Sequence, residues 1–139
     1  MVRMMQGHVL VPGMATGDAL VSDEPLSFWG GYDQVTGEII DRRHPLSGCV
    51  AAGRILAIPA TRGSSTTTAV LLEAIRRGTA PLALLTARKD TFLTLASIVA
   101  DELYKRPLPV VALRAEDYAK LKTGQTLRIL ADGRVIVSF

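Results

Sequence analysis

The run Ile55-Leu56-Ala57-Ile58, ended by Pro59 and followed by a Gly/Ser/Thr stretch, constrains this chain more than any other feature. An unbroken apolar run of that length reads as a strand buried on both faces. Beyond the hydroxyl-rich stretch, Val70, Leu71, Ala74 and Ile75 recur at helical spacing, and Gly78 is placed to cap a helix there. A second strand follows at Leu82-Ala83-Leu84-Leu85. A second helix is predicted over Thr91 to Lys105, with Phe92, Leu95, Ala96, Val99, Ala100 and Leu103 on one face and Asp90 or Thr91 as its cap. Pro107-Leu108-Pro109 interrupts the chain before a strand at Val110-Val111-Ala112-Leu113, and Ala115 to Lys122 reads as a short helix. Leu127 to Leu130 and Val135 to Val137 flank Asp132-Gly133, a hairpin signal.

Before Arg54 the chain reads as strands and turns. Gly7 to Val11 and Ala19 to Val21 have strand character, with Pro12-Gly13 as a turn between them. Leu26-Ser27-Phe28-Trp29-Gly30-Gly31-Tyr32 combines large aromatics with paired glycines, which suits backbone brought close to another group. Thr36-Gly37 marks a hairpin turn or a bulge. Strands first, then alternating strand and helix, then a terminal hairpin predict a mixed α/β fold. At 139 residues and 48% hydrophobic content the chain is sized for one core, so a single domain over residues 1–139 is expected.

Charge and leader signals narrow the function classes. The net charge is +3 and the isoelectric point near 9.4. The basic residues are nevertheless scattered as Arg42-Arg43, Arg62, Arg76-Arg77, Arg88-Lys89 and Lys105-Arg106, without interleaved aromatics. That pattern describes solvated faces rather than a nucleic-acid groove. No apolar stretch approaches the roughly 20 residues of a membrane span, and the first residues lack a secretory pattern. A soluble, cytoplasmic protein is expected. Cys49, the one cysteine, cannot form an internal disulfide or hold an iron–sulfur cluster or structural zinc by itself, and it reads as a small core residue.

The chemistry-bearing candidate is the junction Arg62-Gly63-Ser64-Ser65-Thr66-Thr67-Thr68. The first N–H groups of a helix have no intrahelical acceptor and carry the positive end of its dipole, so a carboxylate or phosphate is favoured there. Arg62 adds a forked donor, Gly63 allows close approach of backbone, and the hydroxyls of Ser64, Ser65 and Thr66 donate or accept. Ser64 or Ser65 serving simply as a helix cap is the simpler reading. Five consecutive hydroxyl residues, however, exceed what one cap needs and are poor helix formers. Neither a Walker loop nor a GxSxG elbow is present.

Arg62-Gly63-Ser64-Ser65 with its threonine-rich continuation resembles the active-site loop of aconitase X small subunits. The likeness runs from about Gly7 to Leu113 and includes Pro12-Gly13, Ala15-Thr16-Gly17, Leu26 to Gly31, Asp33 with Thr36-Gly37, Ile40-Asp41, and His44-Pro45-Leu46 with Gly48. It implies a swivelling β/β/α domain like the small domain of aconitase, acting with an aconitase X large subunit on a small hydroxy acid. By that resemblance Ser64 is the proton-abstracting base, with Ser65 second. Arg62, Gly63, Ser65, Thr66, Phe28, Trp29, Gly30 and His44 are the substrate-binding candidates. The chain itself is expected to bind no metal, the resemblance placing iron or an iron–sulfur cluster on the large subunit. Within the family the substrate is cis-3-hydroxy-L-proline or mevalonate 5-phosphate, and the long hydroxyl run resembles the hydroxyproline form.

Plainer roles stand beside these. Phe28 and Trp29 fit a pocket wall, a subunit contact or the core; His44 fits a substrate contact or a structural position. Asp33 and Asp41 suit turns as well as partners for Arg62. A non-catalytic anion-binding module would use the same pocket without chemistry.

Overall fold

A computed structural model of the chain describes residues 2–62 and 66–138. The Ile55 run forms a strand at the centre of one eight-stranded sheet. In chain order the strands are β1 (Val2–Gln6), β2 (His8–Val11), β3 (Ala15–Val21), β4 (Ile55–Ala57), β5 (Ala83–Thr86), β6 (Val110–Ala112), β7 (Thr126–Ile129) and β8 (Arg134–Ser138). Their spatial order is β1-β8-β7-β3-β4-β5-β6-β2. Strands β3 to β6 are mutually parallel, while β7, β8 and β1 continue antiparallel on one side and β2 closes the other. Parallel neighbours require crossovers. Helix α1 (Thr66–Arg77) carries the chain from β4 to β5, and α2 (Thr91–Tyr104) from β5 to β6.

Alternate residues of the parallel strands enter two different cores, which is why these runs are continuously apolar. Leu56, Ile58 and Leu84 pack with Val70, Leu71 and Ala74 of α1 and Leu93, Ala96 and Ala100 of α2. Ile55, Ala57, Ala83 and Leu85 pack against Met5, Leu127, Ile129, Val135 and Val137 of the antiparallel limb. The layers are therefore antiparallel sheet, parallel sheet, helices: the expected β/β/α arrangement. Each fully buried leucine or isoleucine contributes about 1.5–3 kcal/mol.

Gly7 alone separates β1, at one edge of the sheet, from β2, at the other. The two edges must therefore meet at that residue. Its N–H donates to the Gly133 carbonyl at 2.9 Å, and a Cβ placed on it would lie 2.2 Å from Val111 Cγ1. Only glycine fits the junction.

Several elements differ from the sequence-based expectation. β1 was not anticipated, because Val2-Arg3-Met4-Met5-Gln6 exposes every side chain but Met5. α3 (Ala115–Tyr118) is a single turn rather than a helix to Lys122. The inward face of α2 is Leu93, Ala96, Ser97 and Ala100, whereas Leu95 and Leu103 are 47% and 61% exposed. Small residues win this face because α1 packs against α2, and Ser97 is drawn in by a polar contact. Its hydroxyl accepts from the Leu108 N–H and donates to the Leu108 carbonyl, satisfying the backbone after Pro107. The helix caps follow expectation. Asp90 accepts from Leu93 N–H, and Gly78 adopts φ +78° just past α1.

Two buried tyrosines give the fold a pH limit. Tyr32 OH donates to the Thr79 carbonyl and Tyr118 OH to the Ser22 carbonyl, and burial pushes both phenols well above their ordinary value. A phenol whose folded value is raised stays protonated where its unfolded counterpart ionises. Stability that is complete below about pH 10 is therefore lost as pH rises through the folded values. Denaturant titrations from about pH 8 to 11 are expected to show this decline, and a Tyr32→Phe/Tyr118→Phe double variant a shallower one. Equal slopes would remove the phenols as its cause.

Candidate functional site at the carboxyl edge of the parallel strands

Because β3 to β6 are parallel, the segments that leave them gather along one edge, the usual place for a binding crevice in such sheets. Ser22 to Glu24 leave β3, Pro59 to Arg62 leave β4, and Ala87 to Asp90 leave β5. α1 and α2 both begin at that edge and pack against each other along their lengths.

The predicted hydroxyl cluster divides at the limit of description. Gly63, Ser64 and Ser65 lie outside the described residues, so the positions of the expected base and its alternate are not part of this geometry. What flanks them is defined. Thr61 and Arg62 sit beside Leu26: the pair Leu26 and Thr61 forms a parallel bridge, Leu26 N–H donates to Ala60 O at 3.3 Å, and Arg62 N–H donates to Leu26 O at 3.0 Å. This contact brings the aromatic and glycine motif at residues 26–31 alongside the strand-to-helix junction, an association the sequence order does not reveal. Arg62 is exposed, and among the described residues no carboxylate lies within ion-pair distance of its guanidinium.

The first turn of α1 contains no acidic residue. Glu73, the helix's one carboxylate, is engaged near the opposite end by Arg76 and Arg77, and these guanidinium groups hold its carboxyl below the usual range. The positive end of the α1 dipole is thus left uncompensated by the helix itself. Thr66 is exposed, while Thr67 and Thr68 each bury a hydroxyl oxygen that has no hydrogen-bond partner among the described residues. An orphaned buried hydroxyl is costly and uncommon.

The remaining candidates separate. Phe28 is wholly buried, its ring centroid 5.1 Å from that of Tyr32. Trp29, its neighbour, is 68% exposed. Gly30 adopts φ +75° with open space around it, whereas Gly31 is the close approach: a Cβ there would lie 2.1 Å from the Ser27 carbonyl oxygen. His44 is 7% exposed beneath the turn that follows β3. Its Nδ1 accepts from Leu46 N–H at 3.1 Å, leaving Nε2 as the donor toward the Glu24 carbonyl at 3.4 Å, with Ser22 Oγ at 3.5 Å. Asp33 and Asp41 accept from Val35 and Arg43 N–H in tight turns. Cys49 is half-buried against the helix-side core.

Sequence reasoning treated Asp90 only as a possible helix cap. Its carboxylate also reaches back to Thr61, accepting from both the backbone N–H and the hydroxyl at 2.7 Å. Spacing gave no hint of this pairing across 29 positions.

Two concavities open at this edge. One of about 280 Å³ is lined by Val21, Ser22, Asp23, Pro59, Ala87 and Tyr118. Another of about 330 Å³ lies along Leu10, Lys89, Asp90, Thr94, Leu95 and Ile98. A larger one, about 660 Å³, lies elsewhere, against Arg3, Lys120 and Lys122 to Gln125. None of the candidate residues lines it, so volume alone does not mark the site. Among the described residues no group of three or more His, Cys, Asp or Glu converges. With a single cysteine as well, this donor set does not fit a metal ion or an iron–sulfur cluster. No helix among the described residues is long and apolar enough to cross a membrane.

The model of a family described as the aconitase X swivel domain matches residues 4–138. The cis-3-hydroxy-L-proline dehydratase of Pseudomonas aeruginosa is 47% identical over 137 residues, covering 95% of this chain and 23% of that protein. The phosphomevalonate dehydratase small subunit of Thermococcus gammatolerans is 37% identical over 128 residues, covering 92% of each. The chain therefore spans about a quarter of the length of the first relative and nearly all of the second. A crystal structure of Thermococcus kodakaraensis aconitase X in its holo form matches with a TM-score of 0.88 and 32% identity, over 99% of both chains.

Proposed function

The chain belongs to the aconitase X swivel-domain family, and from that premise we propose that it is the small-subunit component of a dehydratase acting on cis-3-hydroxy-L-proline with a large partner. The observation that carries the substrate is the 47% identity to the Pseudomonas aeruginosa hydroxyproline enzyme across nearly the whole chain, against 37% to the Thermococcus gammatolerans small subunit.

On this reading Ser64 accepts the proton from the carbon next to the substrate carboxylate as the β-hydroxyl departs, and the resulting enamine rearranges to Δ1-pyrroline-2-carboxylate. A serine is far too weak a base unaided, so its alkoxide needs stabilisation. The positive end of the α1 dipole, with no acidic residue in the first turn, and Arg62 supply positive potential at that point. Arg62, Gly63, Ser65 and Thr66 hold the carboxylate, and Trp29 and Gly30 are further candidates because their segment joins Thr61 and Arg62 through Leu26. Iron or an iron–sulfur cluster is assigned to the large partner, as the resemblance implies, and no step assigned to this chain runs through it.

A second reading, the small subunit of a phosphomevalonate dehydratase, draws on chain length: the archaeal small subunits match this chain nearly end to end, whereas the hydroxyproline relatives are several times longer. A helix N-terminus with Arg62 suits a phosphate equally well.

The deciding experiment is to co-purify the chain with its large partner and assay both substrates. Turnover of cis-3-hydroxy-L-proline alone is the expected result. Turnover of mevalonate 5-phosphate alone would transfer the chain to the second reading, and turnover of neither by an intact complex would leave an anion-binding module.

A further inference from the structure

We propose that Asp90 is a positioning residue: it fastens Thr61, two residues before Gly63, to the N-terminus of α2 and so fixes where the chain enters the serine loop. The inference rests on the reading of Ser64 as the base.

Asp90 is 7% exposed, and three donors converge on its carboxylate. Oδ1 accepts from Leu93 N–H at 3.1 Å, the helix cap, while Oδ2 accepts from Thr61 N–H and Thr61 Oγ1, each at 2.7 Å. A carboxylate is an acceptor only, with room for all three. Capping alone uses one oxygen and accounts for one bond; the other two go to a residue on a different crossover. On the opposite flank, Arg62 N–H is held by Leu26 O. The two residues entering the loop are thus pinned from both sides, and α1 begins at Thr66. The point at which the chain enters the serine loop is thereby fixed relative to α2, and a displacement of about 1 Å at a reacting group is worth up to about 100-fold in rate.

Capping and anchoring are separable by substitution. Serine is as good a helix cap as aspartate but is one atom shorter and has a single oxygen, so Asp90→Ser keeps the bond to Leu93 and gives up Thr61. Thr61→Val removes the hydroxyl bond without touching the cap, and Thr61→Ser restores it. In the chain assembled with its large partner, Asp90→Ser is expected to speed amide hydrogen exchange at Thr61 and through residues 62–67 about tenfold, with exchange at Leu93 unchanged. Asp90→Ser and Thr61→Val are both expected to lower kcat about tenfold with KM within about twofold, and Thr61→Ser to retain wild-type kcat. Wild-type exchange at Thr61 in Asp90→Ser overturns the anchor, and faster exchange with unchanged kcat overturns its role in positioning. If the wild-type assembly turns over neither substrate, the functional reading has failed, and the exchange measurement still decides whether Asp90 anchors the loop.

Discussion

Ser64→Ala is expected to reduce turnover by about three orders of magnitude while the assembly with the large partner persists and KM changes only a few-fold. Proton transfer by a positioned side chain contributes about 10² to 10⁴ in rate, and alanine removes the proposed acceptor while leaving every backbone N–H at the head of α1 in place. The positive potential that would attract the substrate carboxylate is carried by those N–H groups and by Arg62, so binding should largely survive. Steady-state kinetics on the purified complex separate the two parameters. Undiminished kcat in Ser64→Ala with loss in Ser65→Ala would move the base by one residue. A large rise in KM at constant kcat would instead make Ser64 a binding group.

Phe28→Ala is expected to destabilise the isolated chain by about 3–5 kcal/mol, the range for emptying a buried aromatic site. For a chain of this size that corresponds to roughly 10–15 °C in Tm. Phe28 is completely enclosed, packs on Tyr32, and shares its cluster with Leu26, Leu56 and Leu71. Trp29→Ala, one residue on, is expected to stay within about 0.5 kcal/mol, because two thirds of that side chain already faces solvent. Thermal denaturation of the pair tests the contrast directly. A Phe28→Ala chain as stable as wild type would mean that the 26–32 segment is not held by the core, and the bridge from Leu26 to Thr61 would lose its support.

That contrast also shows where sequence reasoning stops. Phe28 and Trp29 carry the same hydrophobic signal, and two neighbouring residues outside a helix or strand offer no period that selects which ring goes inward. The face of α1 was legible because Val70, Leu71, Ala74 and Ile75 are its apolar residues on one side and charged residues occupy the other. α2 was not, since Phe92, Leu93, Leu95, Ile98, Val99 and Leu103 surround the helix with apolar side chains and periodicity no longer selects a face. There the choice falls to close packing by Ala96 and Ala100 and to the Ser97 hydroxyl, neither of which a hydropathy pattern contains. The parallel strands and the terminal hairpin were readable from continuous apolar runs and from Asp132-Gly133. β1 escaped because an edge strand with polar and exposed side chains has no pattern of its own. At the site, the residue types at the junction were evident from the sequence. The anchoring by Asp90 and the contact with Leu26 were not, because both depend on which crossovers the sheet places side by side.

The N-terminal segment pairs with both extremes of the sheet: Val2 to Gln6 align with Ser138 to Arg134, and His8 and Val9 with Ala112 and Val111. During synthesis the first strand emerges with no neighbour and acquires one only when residues 134–138 leave the ribosome. The β1–β8 edge is therefore among the last parts of the sheet to close, and one short stretch around Gly7 covers a row of backbone donors and acceptors on each limb. A ribosome-bound chain stalled before β8 would display an unpaired β1 beside the open row of β7, and this is the stage at which strand-to-strand aggregation is most to be expected.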